Sequence, residues 1–160
     1  MDNKHILWGL GGFGRDSWKA LYTLIKEYDI KTVLEYGCGV STELMLVVGC
    51  RVKSLESQGA YAQIPYADIV GYNYPEFPVL DEAFDLAVID GPGAKEFEVM
   101  GLAPERTYSA KHAIKYARRF IFIHDGGLGQ EKAFENNPEW ELIYGRNEVG
   151  YQNIIYRRVK

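Results

Sequence analysis

Acidic and glycine residues in this sequence recur directly after short apolar runs, and those junctions are where chemistry is to be sought. Val33-Leu34-Glu35 runs into Tyr36-Gly37-Cys38-Gly39 and then Val40-Ser41-Thr42. Gly37 and Gly39 let main chain approach a ligand, and a helix capped by Ser41 or Thr42 would turn unpaired N–H groups toward a carboxylate. Glu35 could contact an ammonium group or position a water. Twenty-one residues further on, Glu56 follows Val52-Lys53-Ser54-Leu55. A carboxylate there can accept hydrogen bonds from both hydroxyls of a ribose. Asp90 follows the run Phe84 to Ile89 and opens Asp90-Gly91-Pro92-Gly93, while His124-Asp125-Gly126-Gly127 follows Phe120 to Ile123. An imidazole with carboxylates nearby is a set for removing a proton: His124 is the candidate general base, with Asp90 or Asp125 as base or orienter. Between these two tips, Arg106 and Tyr108 are placed for substrate, and Arg106 could hold a carboxylate or phosphate bidentately.

The elements that must carry these residues follow from periodicity. Trp18, Leu21, Tyr22, Ile25 and Tyr28 recur at three- and four-residue steps after Asp16 or Ser17, which predicts an amphipathic helix. Lys31 to Glu35 reads as a strand, and Glu43 to Val48 as a helix ended by Gly49. Arg51 to Leu55, Ile69 to Tyr72, Phe84 to Ile89 and Phe120 to Ile123 read as buried parallel strands, with a helix over Ser109 to Arg119. Trp140 to Tyr144 and Gln152 to Tyr156 read as an antiparallel pair. The pattern predicts an α/β fold, a Rossmann-like three-layer arrangement with a mostly parallel sheet and a terminal antiparallel strand.

Composition narrows the field. A chain of 160 residues with 47% hydrophobic side chains and no repeat or linker suits one domain spanning residues 1–160. With 18 Lys+Arg against 22 Asp+Glu the formal charge is −4, so no global cationic field gathers nucleic acid or an anionic membrane. Lys111, His112, Lys115, Arg118 and Arg119 read as the solvated side of a surface helix. Cys38 and Cys50 stand in neither metal-ligand nor CxxC spacing, and Cys38 reads as a small residue filling its turn. Without a membrane-length apolar run the chain is expected to be cytoplasmic.

On the residues quoted, the sequence resembles the class I S-adenosylmethionine-dependent methyltransferases over roughly Ser17 to Lys160. Leu34-Glu35-Tyr36-Gly37-Cys38-Gly39 matches the glycine-rich first motif, Glu56 the ribose-binding acid and Asp90 the acid after the fourth strand. The resemblance implies that S-adenosylmethionine is the cofactor, with Glu35, Gly37, Cys38, Gly39, Ser41, Thr42, Glu56 and Asp90 around it. It also implies that Gly71, Tyr72 and Asn73 flank the adenine. Ile89-Asp90-Gly91-Pro92 and the Asp125 turn look most like the small-molecule O-methyltransferases, of catechol and macrocin type. The Asp/Asn-Pro-Pro-aromatic tetrapeptide of the amino-methylating nucleic-acid enzymes is not present there. In the catechol-type branch an Asp after strand four, an Asp after strand five and a following Asn or Asp hold Mg²⁺. Asp90 and Asp125 match the first two, whereas Gly126 stands where a third ligand would follow.

Two other readings compete. Gly9-Leu10-Gly11-Gly12-Phe13-Gly14 satisfies a GxGxxG dinucleotide fingerprint, with Glu35 at the distance of its ribose acid, and would make the chain an NAD(P)-binding oxidoreductase. That reading leaves Glu56, Asp90 and Asp125 without roles; under the methyltransferase reading residues 1–16 become a mobile lid. A non-catalytic S-adenosylmethionine-binding module is the second. With little chain beyond the cofactor core, the small-molecule acceptor pocket would come from the N-terminal segment, Gly91 to Tyr108, or a neighbouring subunit of a homo-oligomer.

Overall fold

The computed structural model describes residues 13–57, 68–145 and 153–159. Helix α1 (Arg15–Glu27) leads into β1 (Thr32–Tyr36), α2 (Val40–Val47), β2 (Arg51–Glu56), β3 (Asp68–Gly71) and β4 (Phe84–Ile89). Then come α3 (Ala94–Met100), α4 (Thr107–Tyr116), β5 (Ala117–His124), a 3-10 turn (Gln130–Ala133), β6 (Trp140–Tyr144) and β7 (Asn153–Arg158). The strands form one seven-stranded sheet in the order β3-β2-β1-β4-β5-β7-β6. β1 to β5 are parallel, and β7 runs antiparallel between β5 and β6. The α/β fold with a mostly parallel sheet and an antiparallel end is therefore as the alternating apolar runs indicate. No helix among the described residues is long and apolar enough to cross a membrane.

Alternation along the strands fills two cores. Val33, Val52, Leu86, Val88, Phe120 and Phe122 meet Leu21, Leu24 and Ile25 of α1 and Met45 of α2. Leu34, Tyr36, Leu55, Ala87, Ile89, Ile121 and Ile123 meet Ala110 and Ala113 of α4. The helices after β1 and β4 thus cover opposite faces, which makes the carboxyl ends of these neighbouring strands the topological switch point of the sheet. Glu35, Glu56, Asp90 and His124 continue the rows that face α1 and α2, so strand alternation alone brings four titratable side chains to one side of one edge.

Several boundaries differ from the sequence reading. The helix read over Ser109 to Arg119 ends at Tyr116, because Ala117 pairs with Phe84 and begins β5; Arg118 and Arg119 lie on a strand. His112 is buried rather than on a solvated face. Ser41 and Thr42 are not caps: Gly39 holds the N-cap position of α2, and both hydroxyls lie inside its first turn. β7 runs on to Arg158. Helix α3, absent from the sequence reading, buries only Phe97 and stops at Gly101 in the left-handed region (φ 67°). Of the glycine run at 9–14, only Phe13 and Gly14 are among the described residues, so its first part and most of the proposed lid lie outside them.

Candidate functional site

At the switch point the turns after β1 and β4 touch main chain to main chain. A β-carbon on Gly91 would lie 2.9 Å from Cα of Gly37, and Gly37 itself has φ +87°. Both positions therefore require glycine, one for space and one for space and conformation. The tips are pinned by Gly37 N–H to Leu55 O at 2.9 Å and Asp90 N–H to Tyr36 O at 3.0 Å. Gly39 differs: its backbone is extended and a β-carbon there would meet nothing within 4 Å, so the outer side of the loop opens onto space.

Glu35 lies beneath this loop, fully buried. Its Oε1 accepts the Ser41 hydroxyl at 2.5 Å, and its Oε2 accepts Thr42 at 2.5 Å and Ser54 at 2.7 Å. The side chain thus ties the first turn of α2 to β2, a buttress where the sequence reading had a contact with ammonium or water. Thr42 Oγ1 also accepts the Gly39 N–H at 2.9 Å, so the same network shapes the glycine turn. Burial pushes the Glu35 carboxyl up from 4.5 to about 7, against the lowering effect of its hydroxyl donors. The folded protein then holds this proton more tightly than the unfolded chain does. The stability it contributes is complete below about pH 4.5 and is lost as pH rises through about 7. Calorimetric melting of the wild type should show this as about 3 kcal/mol lost over that interval, and Glu35→Gln should flatten the dependence. An equally steep profile in the variant would assign the pH dependence elsewhere.

Glu56 ends β2, buried, with Oε2 accepting the Cys38 N–H at 3.0 Å. The carboxylate is thereby aimed along the glycine turn. Burial and the neighbouring Glu56 push the Cys38 thiol up to about 12, which keeps it protonated near neutrality and removes it as a nucleophile. Beyond β3, the Tyr72 ring stacks on Phe77 (centroids 4.6 Å apart) and Phe77 stacks on His112 (4.8 Å). His112 Nε2–H donates to Pro78 O at 2.9 Å, a carbonyl that can only accept, so its Nδ1 accepts the Tyr36 hydroxyl at 2.7 Å. Burial lowers the His112 pKa in keeping with that neutral ring. The proline-containing segment 72–81 is thus fastened to α4. Asn73 closes its turn through Glu76 N–H to Asn73 O at 2.6 Å, and the Tyr74 hydroxyl donates to Glu105 O.

Asp90, His124 and Asp125 come together at the tips of β4 and β5. His124 Nδ1 lies 2.7 Å from Asp90 Oδ1 and 3.5 Å from Asp125 Oδ2. His124 is buried, with the Phe13 ring against it (centroids 4.8 Å apart), and Asp125 takes φ 54° to turn beside it. One ligand atom from each of the three could lie within 4.8 Å of the others. Two carboxylates and one imidazole are nevertheless not the all-oxygen set that Mg²⁺ favours, and the Nδ1 of that imidazole is engaged by Asp90. The residues present do not fit the Mg²⁺ site implied by the catechol-type resemblance.

Arg106 departs furthest from expectation. It is 2% exposed, and its Nε, Nη1 and Nη2 donate to Pro92 O, His124 O and Asp90 O, each at 2.8 Å. A guanidinium engaged on all three nitrogens by main-chain carbonyls is not placed to grip a substrate carboxylate or phosphate. Tyr108 is half exposed in the first turn of α4, edge-on to Tyr74 and with the Lys111 ammonium 5.8 Å from its ring centroid. Ser54, Phe13 and Phe77 escaped the sequence reading. Ser54 was within reach of it, because it stands two residues before Glu56 on the same face of β2.

No protein-family model and no curated protein matches the sequence. Solved structures do match its fold. A putative O-methyltransferase from Klebsiella pneumoniae superposes with a TM-score of 0.65 at 15% identity, covering 96% of this chain and 84% of that one. The magnesium protoporphyrin IX methyltransferase of Synechocystis, with bound S-adenosylmethionine, gives 0.59 at 11% identity over 88% and 76%. A glycopeptide N-methyltransferase gives 0.57 at 12% over 89% of each. The chain thus has the fold of these methyltransferases.

Proposed function

We propose that the chain is an S-adenosylmethionine-dependent methyltransferase acting on a hydroxyl oxygen of a small molecule. The observation that carries the proposal is the sharing of one sheet edge by two kinds of group. The Glu56 carboxylate is set against the glycine turn by Cys38 N–H, and three strands from β2 the His124 imidazole is hydrogen-bonded to Asp90. In this reading Glu56 accepts the ribose hydroxyls, a carboxylate having about four acceptor sites on its two oxygens. Gly37, Cys38 and Gly39 line the methionine portion, with the open side of Gly39 as the cradle. Main-chain N–H groups at Ser41 and Thr42 face its carboxylate, Glu35 holds that turn from beneath, and Tyr72 and Asn73 flank the adenine. The cofactor supplies an electrophilic methyl group.

The rest is proton management. A hydroxyl is a poor nucleophile until its proton is drawn off. With Nδ1–H donating to Asp90, His124 presents Nε2 as the atom that accepts the proton, and Asp125 stabilises the imidazolium that results. Phe13 excludes water from one side of the ring. Tyr108 offers an aromatic wall to the acceptor. The dinucleotide reading loses ground because a glycine turn between β1 and α2 at the switch point, Gly37 to Gly39, is found among the described residues.

Titration calorimetry with S-adenosylmethionine, S-adenosylhomocysteine and NAD in parallel, each with and without Mg²⁺, tests the assignment. Micromolar binding of the first two, unaffected by Mg²⁺, is the expected result; binding of NAD alone would overturn it. Glu56→Ala should weaken S-adenosylmethionine by about 1.5 kcal/mol or more, roughly tenfold, through loss of charge-assisted hydrogen bonds. Unchanged affinity would remove Glu56 from the ribose site.

A further inference from the structure

Arg106 links three segments that the chain brings together from far apart. Its own N–H donates to Leu128 O at 2.7 Å, and the adjacent Thr107 hydroxyl donates to Gly129 O at 2.7 Å, so the start of α4 is fastened to the loop after β5. From there the side chain reaches Asp90 O and Pro92 O after β4, and His124 O at the end of β5. Two of these three carbonyls belong to the residues whose side chains form the 2.7 Å imidazole–carboxylate hydrogen bond. A planar guanidinium presents its donors in a rigid fork, so binding three oxygens at once fixes their relative positions. Among the described residues no carboxylate pairs directly with this buried cation. Asp90, Asp125 and Glu96 attract it from further off.

We propose that Arg106 is a positioning residue, which sets Asp90 against His124 by clamping the main chain beneath both. The inference rests on the reading of that pair as the proton-accepting device, and it assigns the device's geometry to a residue that touches neither acceptor nor cofactor. Desolvating a cation to bind only neutral carbonyls is costly. Tying the two tips together is what the arrangement gains in return. Asp90 lies one residue beyond the last position at which β4 pairs with β5, Ile89 with Ile123, and its N–H bonds to Tyr36 O of β1, so strand pairing holds it against β1 and not against the β5 tip.

The test is nuclear magnetic resonance of histidine-labelled protein at a pH of about 8, where an ordinary imidazole is neutral. His124 should show the Nδ1-protonated tautomer with slow solvent exchange, and His112 the Nε2-protonated tautomer donating to Pro78. In Arg106→Gln and in Arg106→Lys, which keeps the charge and loses the fork, the His124 Nδ1–H should exchange about tenfold faster or disappear. The His112 signal should remain and serves as the control for an intact fold. An unchanged His124 signal in a variant that retains the His112 signal overturns the proposal. Loss of both signals in both variants overturns it too, by giving Arg106 to the fold at large. The measurement uses the protein alone, so a failure of S-adenosylmethionine to bind in calorimetry would defeat the proposed activity and leave this outcome standing.

Discussion

His124→Ala should lower turnover by about 10²- to 10⁴-fold, the span of a general base removed from a transition state. S-adenosylmethionine affinity should stay within about threefold, which separates an interaction made at the reacting centre from one made in the bound ground state. Asp90→Asn should be nearly as severe for a different reason. The carboxylate accepts from Nδ1 at 2.7 Å, and an asparagine that turned its NH₂ to the ring would move the imidazole proton to Nε2, the atom that must accept. Methyl transfer from labelled cofactor to an acceptor found by screening, with binding followed in parallel by calorimetry, checks both variants. Equal loss of binding and turnover in the Asp90 variant would move that residue into the cofactor site. Full turnover by His124→Ala would end its role as base.

How far the sequence could anticipate this arrangement depends on where each signal is carried. Buried parallel strands announce themselves as apolar runs, so β2 and β4 were legible almost to the residue, and the acids at their tips, Glu56 and Asp90, followed. Arg106 was not legible in its true role, because its partners are main-chain carbonyls and main-chain carbonyls have no letter in the sequence. His112 was misplaced because helical periodicity counts only the sheet as a burying surface, whereas Phe77 and Pro78 arrive over α4 from the segment after β3. Glu35 sits beside the glycine motif, but whether such an acid faces a ligand or the protein is decided by hydroxyls at 41, 42 and 54, two of which the sequence invites one to read as helix caps. Helix α3 buries one apolar side chain, too few to show a period.

The contact between the β1 and β4 turns gives the second large effect. Gly91→Ala should cost about 3 kcal/mol and abolish measurable S-adenosylmethionine binding, since its β-carbon would meet main chain that cannot step aside. The contacts would be Cα of Gly37 at 2.9 Å, N of Gly37 at 3.2 Å and the carbonyl of Tyr36 at 3.2 Å. Those atoms are held by hydrogen bonds to Leu55 and Asp90, so relief requires β1 and β4 to part at the switch point, moving Gly37 and Asp90 together. Gly39→Ala is the matching control. Its backbone is extended and its added methyl meets no protein atom within 4 Å, so stability should stay within about 0.5 kcal/mol. That methyl would instead enter the space assigned to the cofactor, and affinity should fall with the melting temperature unchanged. Melting and calorimetry on both variants thus separate two uses of glycine in one motif: at 91 it lets two turns touch, and at 39 it leaves room for a ligand. Normal affinity in Gly39→Ala would refute the cradle even if Gly91→Ala behaved as described.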